Sequence, residues 1–166
     1  MTNNFYACKK VGAIAENIVA NYLIKNGCKI IYDLTDVNNE QDFVIEKKNG
    51  ERYNLEVKGM NQISTQGNIL IEYNGWYHKR LNSLRTAIKV IANKEGNWII
   101  DYTLPIYYIF VEDNIGYVAK WNQHFIETIE KYKDNYFITK ENHKMVKVPM
   151  YELIDFKVIL GGDNNG

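Results

Sequence analysis

Residues 41–59 read QDFVIEKKNGERYNLEVKG, two runs of alternating polar and apolar side chains on either side of Asn49-Gly50. Alternation with a period of two is typical of β-strands, and an Asn-Gly pair between two such runs is typical of a β-hairpin. The stretch therefore predicts a hairpin. Its register decides which side chains share a face, because a shift of one residue moves every side chain to the opposite face.

Hydrophobic patterning selects one of two possible registers. A two-residue turn would place Phe43 opposite Glu56 and would mix charged and bulky side chains on both faces. A three-residue loop over residues 48–50 pairs Phe43 with Leu55 and gives Gly50 the left-handed position that such loops favour. One face is then apolar and consists of Phe43, Ile45, Tyr53, Leu55 and Val57. Because one face must be buried, the pattern predicts the three-residue loop.

The predicted register places three charged side chains together on the other face. Asp42 lies across from Glu56, with Cβ atoms about 5 Å apart, and Lys58 follows two residues along the same face. Two carboxylates at this separation repel each other unless a cation lies between them, and Mg²⁺ prefers oxygen ligands. We therefore expect Asp42, Glu56 and the backbone carbonyl of Val57 to bind Mg²⁺ or Mn²⁺. Lys58 would orient or deprotonate an attacking water, or stabilise charge on a phosphate.

The remaining sequence predicts further helices and strands. Apolar residues at helical spacing predict helices over residues 6–26 and 79–93, the first ended by Asn26-Gly27. Asn122 is expected to cap a short helix that carries Phe125, Ile129 and Tyr132. Apolar runs predict strands over residues 29–34, 68–73, 107–112, 117–120, 136–139, 145–148 and 156–160, with a hairpin turn at residues 113–116. The chain shows no repeat and no linker, so we expect one domain over residues 1–160 and a disordered tail over residues 161–166.

The charged residues of the hairpin resemble the motif of the PD-(D/E)xK nucleases. Asp42 is followed, after a hairpin-length gap, by Glu56-Val57-Lys58, and Gln41 stands where the family often has proline. An N-terminal helix often adds a glutamate in this family, and Glu16, in the run GAIAEN, matches that position. The stretch TQGNILIE at residues 65–72 is similar to one that follows the ExK strand in some phage and restriction-type members. The resemblance covers residues 6 to about 95.

The resemblance implies a fold and a function. The fold would be α/β, a restriction-endonuclease-like mixed central sheet flanked by helices. The function would be that of a Mg²⁺- or Mn²⁺-dependent DNA endonuclease, with Asp42 and Glu56 holding the ion, Lys58 acting on the water and Glu16 assisting. A homodimer is expected by analogy.

Two other interpretations stay open at this point. The chain could keep the nuclease fold but act as a binding protein, either an inhibitor or a nucleic-acid- or protein-binding subunit. Equal numbers of basic and acidic residues, 20 of each, favour this alternative, because non-specific nucleic-acid-binding proteins are usually basic. The complete Asp-Glu-Lys set favours an enzyme. In the third interpretation the motif is accidental and the chain is a structural or interaction module.

Several other residues are secondary candidates. Further residues that could line the site are Arg52, Asn54, Gln62, Gln66 and Glu72. The run WYHKR at residues 76–80 would either stack bases and neutralise phosphates or form a packed loop. The three histidines are too widely spaced to predict zinc, and Cys8 and Cys28 are expected to be free thiols in a reducing compartment. With no predicted membrane span or signal peptide, we expect a cytoplasmic protein with no membrane partner.

Overall fold

The computed structural model describes the backbone of residues 2–33, 42–59, 66–86, 89–91, 99–101 and 103–161, and the side chains of residues 12–33, 42–59, 66–82 and 103–161. Of the predictions above, those for Gln62 and the tail beyond residue 161 lie outside these ranges, and the prediction for the Cys8 thiol lies outside the described side chains. None of the described helices is both long enough and apolar enough to cross a membrane.

The described residues form four α-helices, one π-helical turn and eleven strands. In chain order they are α1 (Thr2–Lys25), β1 (Lys29–Asp33), β2 (Phe43–Glu46), β3 (Arg52–Lys58), β4 (Asn68–Glu72), a π-helical turn (Tyr73–Tyr77), α2 (His78–Thr86), β5 (Lys89–Ile91), β6 (Ile99–Asp101), β7 (Ile106–Glu112), β8 (Ile115–Lys120), α3 (Gln123–Lys131), β9 (Tyr136–Ile138), β10 (Lys144–Pro149), α4 (Met150–Leu153) and β11 (Phe156–Ile159).

Six of the strands form a mixed central sheet, in the order β1-β2-β3-β7-β8-β11. β3 and β7 run parallel, and the other neighbours in this sheet are antiparallel. β4, β10 and β9 form a second, three-stranded antiparallel sheet, called the small sheet below. β5 pairs with β6. The predicted mixed α/β architecture is confirmed.

The hairpin of β2 and β3 has the register that the hydrophobic pattern predicts. Phe43 pairs with Leu55 and Ile45 with Tyr53. The loop is closed by the Lys47 amide, which donates to the Glu51 carbonyl at 2.8 Å. Three residues, 48–50, therefore form the loop, and Gly50 takes a φ of +88°, the left-handed position predicted for it.

Both faces of the central sheet are covered. On one face α1 buries Ala15, Val19 and Leu23 against a set of strand residues that includes Phe43, Ile45, Leu55 and Val57. On the other face, residues of the small sheet and of α3 pack against β7, in a cluster formed by residues such as Ile69, Ile71, Tyr108, Phe110, Phe125, Ile129 and Val146. A sheet, and not helices alone, therefore flanks this second face. The face predicted to be polar is also largely dry, since Val44 and Asn54 are 4% and 0% exposed.

The prediction of one helix over residues 79–93 is wrong in its second half. α2 ends at Thr86, and Lys89–Ile91 forms a strand paired antiparallel with Ile99–Asp101. The β-branched pair Val90-Ile91 suits an extended backbone better than a helix. Other predicted elements are confirmed, among them α3, whose Asn122 side chain accepts a hydrogen bond from the Phe125 amide.

Candidate metal and catalytic site

Two hydrogen bonds fix Asp42 beside β3. Its amide donates to the Leu55 carbonyl at 3.0 Å, and its Oδ2 accepts from the Val57 amide at 2.7 Å. These bonds lie on either side of Glu56, so Asp42 stands across from Glu56 as the register predicts. Because the N–H and C=O of one strand residue point to the same side, the Val57 carbonyl also points towards the Asp42 edge of β3.

Glu16 on α1 reaches the Asp42 carboxyl group. Glu16 directly follows the buried Ala15, so it lies at the border of the face that α1 packs against the sheet. The pKa of Asp42 is raised from 3.8 to about 6. Burial is the largest cause, the charge of Glu16 and a hydrogen bond with it add to the rise, and the Val57 amide and the charge of Lys58 oppose it. The structure thus brings the helix glutamate and the hairpin aspartate into contact.

Glu56 and Lys58 form an ion pair on the same face of β3. Lys58 Nζ lies 3.2 Å from Glu56 Oε1, and the two side chains are 17% and 12% exposed. Burial raises the pKa of Glu56 to about 7, and the charge of Asp42 contributes to the rise, although Lys58 and Arg80 oppose it. The second oxygen, Oε2, is buried and accepts no hydrogen bond from the residues that the structure describes.

Arg80 on α2 is a member of this cluster that the sequence did not reveal. Its side chain is 1% exposed, its terminal nitrogen lies 3.7 Å from Glu56 Oε2, and its Nε donates to the Tyr108 hydroxyl at 3.0 Å. Tyr108 lies directly beside Glu56 because β3 pairs in parallel with β7. The WYHKR run made Arg80 a candidate for phosphate contacts, but its place beside Glu56 depends on Tyr108 of β7, which is distant in sequence.

The WYHKR run packs behind the site. Trp76 stacks on Tyr108 with ring centroids 4.8 Å apart, and Lys58 Nζ lies 4.8 Å from the centre of the Trp76 ring. Tyr77 is fully buried, and its hydroxyl donates to Glu130 at 3.0 Å. Since Tyr77 and Arg80 are both inaccessible, the packed-loop interpretation is the better one, and this run does not form a base-stacking surface.

The secondary candidates lie in other surroundings. Glu72 lies on β4, and its Oε1 is at hydrogen-bond distance, 2.7 Å, from His143 Nδ1. Arg52 pairs with Glu46 at 3.4 Å near the loop end of the hairpin. Asn54 is fully buried, and Gln66 is exposed in the turn before β4. The contacts of Arg52 and Glu72 thus lie outside the cluster around Asp42.

The donor types at this cluster are those that a hard divalent cation prefers. Glu16, Asp42 and Glu56 provide carboxylate oxygens, and burial is the main cause of the raised pKa values of Asp42 and Glu56, so a cation would favour their ionised forms. The buried Glu56 Oε2 accepts no hydrogen bond from the described part of the chain, and a cation would satisfy this oxygen. Among the residues with described side chains, no group of three or more His, Cys, Asp or Glu residues is arranged so that it could hold a metal ion. Here Glu56 is paired with Lys58 instead.

Comparisons with known proteins do not place this chain in a family. No protein-family model matches it, and neither the curated proteins nor the solved structures contain a significant match. The resemblance to the PD-(D/E)xK nucleases therefore rests on the motif residues, and function must be argued from the chemistry of the site.

Proposed function

We propose that this protein is a metal-dependent deoxyribonuclease that hydrolyses phosphodiester bonds at the cluster of Glu16, Asp42, Glu56 and Lys58. The observation that carries the proposal is the convergence of three carboxyl groups and one ammonium group from α1, the start of β2, and β3. Burying like charges together costs folding free energy, and strongly shifted pKa values concentrate at functional sites. Chemistry explains such a cluster better than stability does.

The residues have distinct roles in this proposal. Asp42, Glu56 and the Val57 carbonyl would hold Mg²⁺ or Mn²⁺, and Glu16 would support Asp42 through their hydrogen bond. The bound ion would polarise the scissile phosphate and stabilise the leaving oxygen. Lys58 would orient or deprotonate the attacking water, or stabilise the phosphate charge. Its ammonium is restricted between Glu56 and the Trp76 ring, which fits a positioning function.

The substrate in this proposal is DNA, and the protein would work in the cytoplasm, as a homodimer by analogy with the nucleases it resembles. The formal net charge of zero predicts little non-specific affinity for DNA in the absence of metal. A bound cation adds the positive charge that the chain itself lacks. DNA binding, like DNA cleavage, should therefore depend on the cation.

A cleavage assay tests the proposal. Purified protein is incubated with supercoiled, linear and branched DNA in Mg²⁺, Mn²⁺ or EDTA, alongside Asp42→Asn and Lys58→Met. We expect metal-dependent cleavage that falls at least about 100-fold in either variant. Matched controls are Glu51→Gln and Lys47→Met, which remove exposed charges from the loop end of the same hairpin and should keep full activity. Cleavage that survives in both Asp42→Asn and Lys58→Met would refute the site.

The alternative is a nuclease-fold binding protein without catalysis. The observation that favours it is the internal compensation of Glu56, whose two oxygens face Lys58 and Arg80. Under this alternative the wild-type protein cleaves none of the substrates, and calorimetry detects no binding of Mg²⁺ or Mn²⁺. Metal binding without cleavage of DNA would support the metal site but not the DNA substrate, and RNA would be the next substrate to assay.

A further inference from the structure

β9 is an edge strand of the small sheet, and all of its side chains are large, apolar or aromatic, and exposed. Tyr136, Phe137 and Ile138 are 46%, 40% and 52% exposed. β9 pairs with β10 on one side, and among the described residues no strand pairs with its other side. The edge strands of the central sheet differ, since β11 contains Lys157 and β1 begins and ends with a charged residue. β9 therefore lacks the charges that usually keep a sheet edge from pairing with another chain.

The backbone of β9 also directs hydrogen-bonding groups towards this free side. The Thr139 amide donates to the His143 carbonyl at 2.9 Å, so Thr139 faces β10. Because the N–H and C=O groups of successive strand residues point to alternate sides, those of Tyr136 and Ile138 point away from β10. A further strand that lies antiparallel to β9 can hydrogen-bond to these groups.

The β9 strand of a second copy fits this edge. When the two strands run antiparallel with Phe137 on the two-fold axis, Tyr136 of each copy lies opposite Ile138 of the other. Both residues of each such pair have N–H and C=O groups directed at the partner strand, so the backbone hydrogen bonds of the pair can form. The Phe137 side chains then meet at the axis as a non-hydrogen-bonded pair, in which cross-strand side chains approach most closely.

The charges at the two ends of β9 favour the same register. Residues 133–141 read KDNYFITKE, and the four charged residues are exposed. In the antiparallel dimer the turn before β9 in one copy lies beside the turn after β9 in the other. Asp134 then meets Lys140, and Lys133 meets Glu141, so that both pairs are of opposite sign. A shift of one residue would instead bring Lys133 to Lys140 or Asp134 to Glu141, which are pairs of like charge.

We propose that two copies of this chain form a dimer by antiparallel pairing of their β9 strands, which joins the two small sheets into one continuous sheet. The inference rests on the proposed function only for the expectation of a homodimer, to which it adds the interface. Metal binding and cleavage have no part in it. Because the interface is built on a short strand, the dimer should exchange with the monomer.

The test is sedimentation velocity of the wild-type protein from about 5 µM to about 500 µM, a range in which small interfaces dissociate. The mean mass should rise from monomer to dimer. Phe137→Lys brings two like charges together at the axis and should weaken association at least about tenfold. Ile138→Pro removes an N–H that points away from β10 and should also weaken it. Phe156→Lys, the matched control, changes an aromatic residue that is 52% exposed on β11 and should dimerise as wild type does.

Charge reversal tests the register with substitutions outside the strand. Lys133 already lies 3.9 Å from Glu130 in its own chain, so the pair of Asp134 and Lys140 is the more informative one. Lys140→Glu or Asp134→Lys alone should weaken the dimer about threefold or more at low salt, because each exposed pair contributes modestly but occurs twice in the interface. The two substitutions together should restore the affinity of the wild-type protein.

The outcomes separate this inference from the proposed function. A wild-type protein that stays monomeric at the highest concentration overturns the β9 dimer, and so does a dimer that folded Phe137→Lys and Ile138→Pro leave intact. A dimer that Phe156→Lys dissociates as well overturns the assignment to β9. If neither β9 variant folds, the paired charge reversal decides, and failure to restore affinity overturns the inference. Cleavage by a monomeric protein would overturn the interface and keep the nuclease, and a β9 dimer without cleavage would do the reverse.

Discussion

Replacing Asp42 with asparagine should stabilise the metal-free protein and abolish its response to Mg²⁺. The amide has nearly the shape of the carboxylate, and its oxygen can still accept the hydrogen bond from the Val57 amide. The variant loses the negative charge that lies next to Glu16 and Glu56. The same substitution thus removes an electrostatic cost of folding. In the proposed function it also removes a ligand of the metal.

The expected size follows from the pKa of Asp42, which rises from 3.8 to about 6 in the folded protein. Because the folded state holds this proton more tightly than the unfolded state, the stability contributed by the protonated group is complete below about pH 4 and is lost as the pH rises to about 6. The full change corresponds to about 3 kcal/mol. At pH 8 we expect the variant to gain about 2 kcal/mol, or about 4–8 °C in Tm for a protein of this size.

The assay is thermal unfolding at pH 4 and pH 8, in EDTA or in Mg²⁺. In EDTA the variant should unfold at a higher temperature than wild type at pH 8, and at nearly the same temperature at pH 4. In Mg²⁺ at 100 times its Kd, wild type should gain about 3 kcal/mol and the variant much less. Glu51→Gln, which neutralises an acid that is 69% exposed on the same hairpin, should change neither result.

Two results would refute this reasoning. If Asp42→Asn is less stable than wild type at pH 8 in EDTA, the Asp42 charge stabilises the fold and is not a cost accepted for function. If Mg²⁺ stabilises both proteins equally, Asp42 is not a ligand.

Three further predictions concern stability. The pKa of Glu56 rises from 4.5 to about 7, so metal-free wild type should lose stability relative to Glu56→Gln as the pH increases through that range, which urea unfolding at successive pH values will show. Asn122→Ala removes the cap that accepts from the Phe125 amide at 2.9 Å and should lower the free energy of unfolding by about 1 kcal/mol in urea. Gly50→Ala places a side chain at a φ of +88° with open space around it, and the backbone strain alone should cost about 1–2 kcal/mol in the same measurement.

The half of the site formed by the hairpin could be predicted because it depends on local pattern. The alternation of residues 41–59 fixed one dry face, and that face fixed the register that puts Asp42 across from Glu56. Helical periodicity predicted α1, the family resemblance put its Glu16 in the site, and Glu16 does meet Asp42. These relations involve strand and helix periods, which the sequence displays directly.

The other half could not be predicted because it depends on pairing between distant segments. Tyr108 comes next to Glu56 only through the parallel pairing of β3 with β7, and Arg80 reaches both from α2. Nothing in the WYHKR run distinguishes an exposed arginine from a buried one. The same limitation explains the helix predicted over residues 79–93, since the strand partner of Lys89–Ile91 decides its conformation.

The cluster stands out because it breaks the rule that the rest of the molecule follows. β3 lies between two apolar layers, so hydrophobic side chains at Asp42 and Glu56 would avoid the cost of burying charge. Lys58 and Arg80 compensate Glu56 only in part, because its pKa still rises to about 7. Three acids lie close to one another here, are compensated incompletely, and include a buried oxygen that accepts no hydrogen bond from the described residues, which supports the proposal that a cation binds. Local departures of this kind from the logic of the fold are where function is expected.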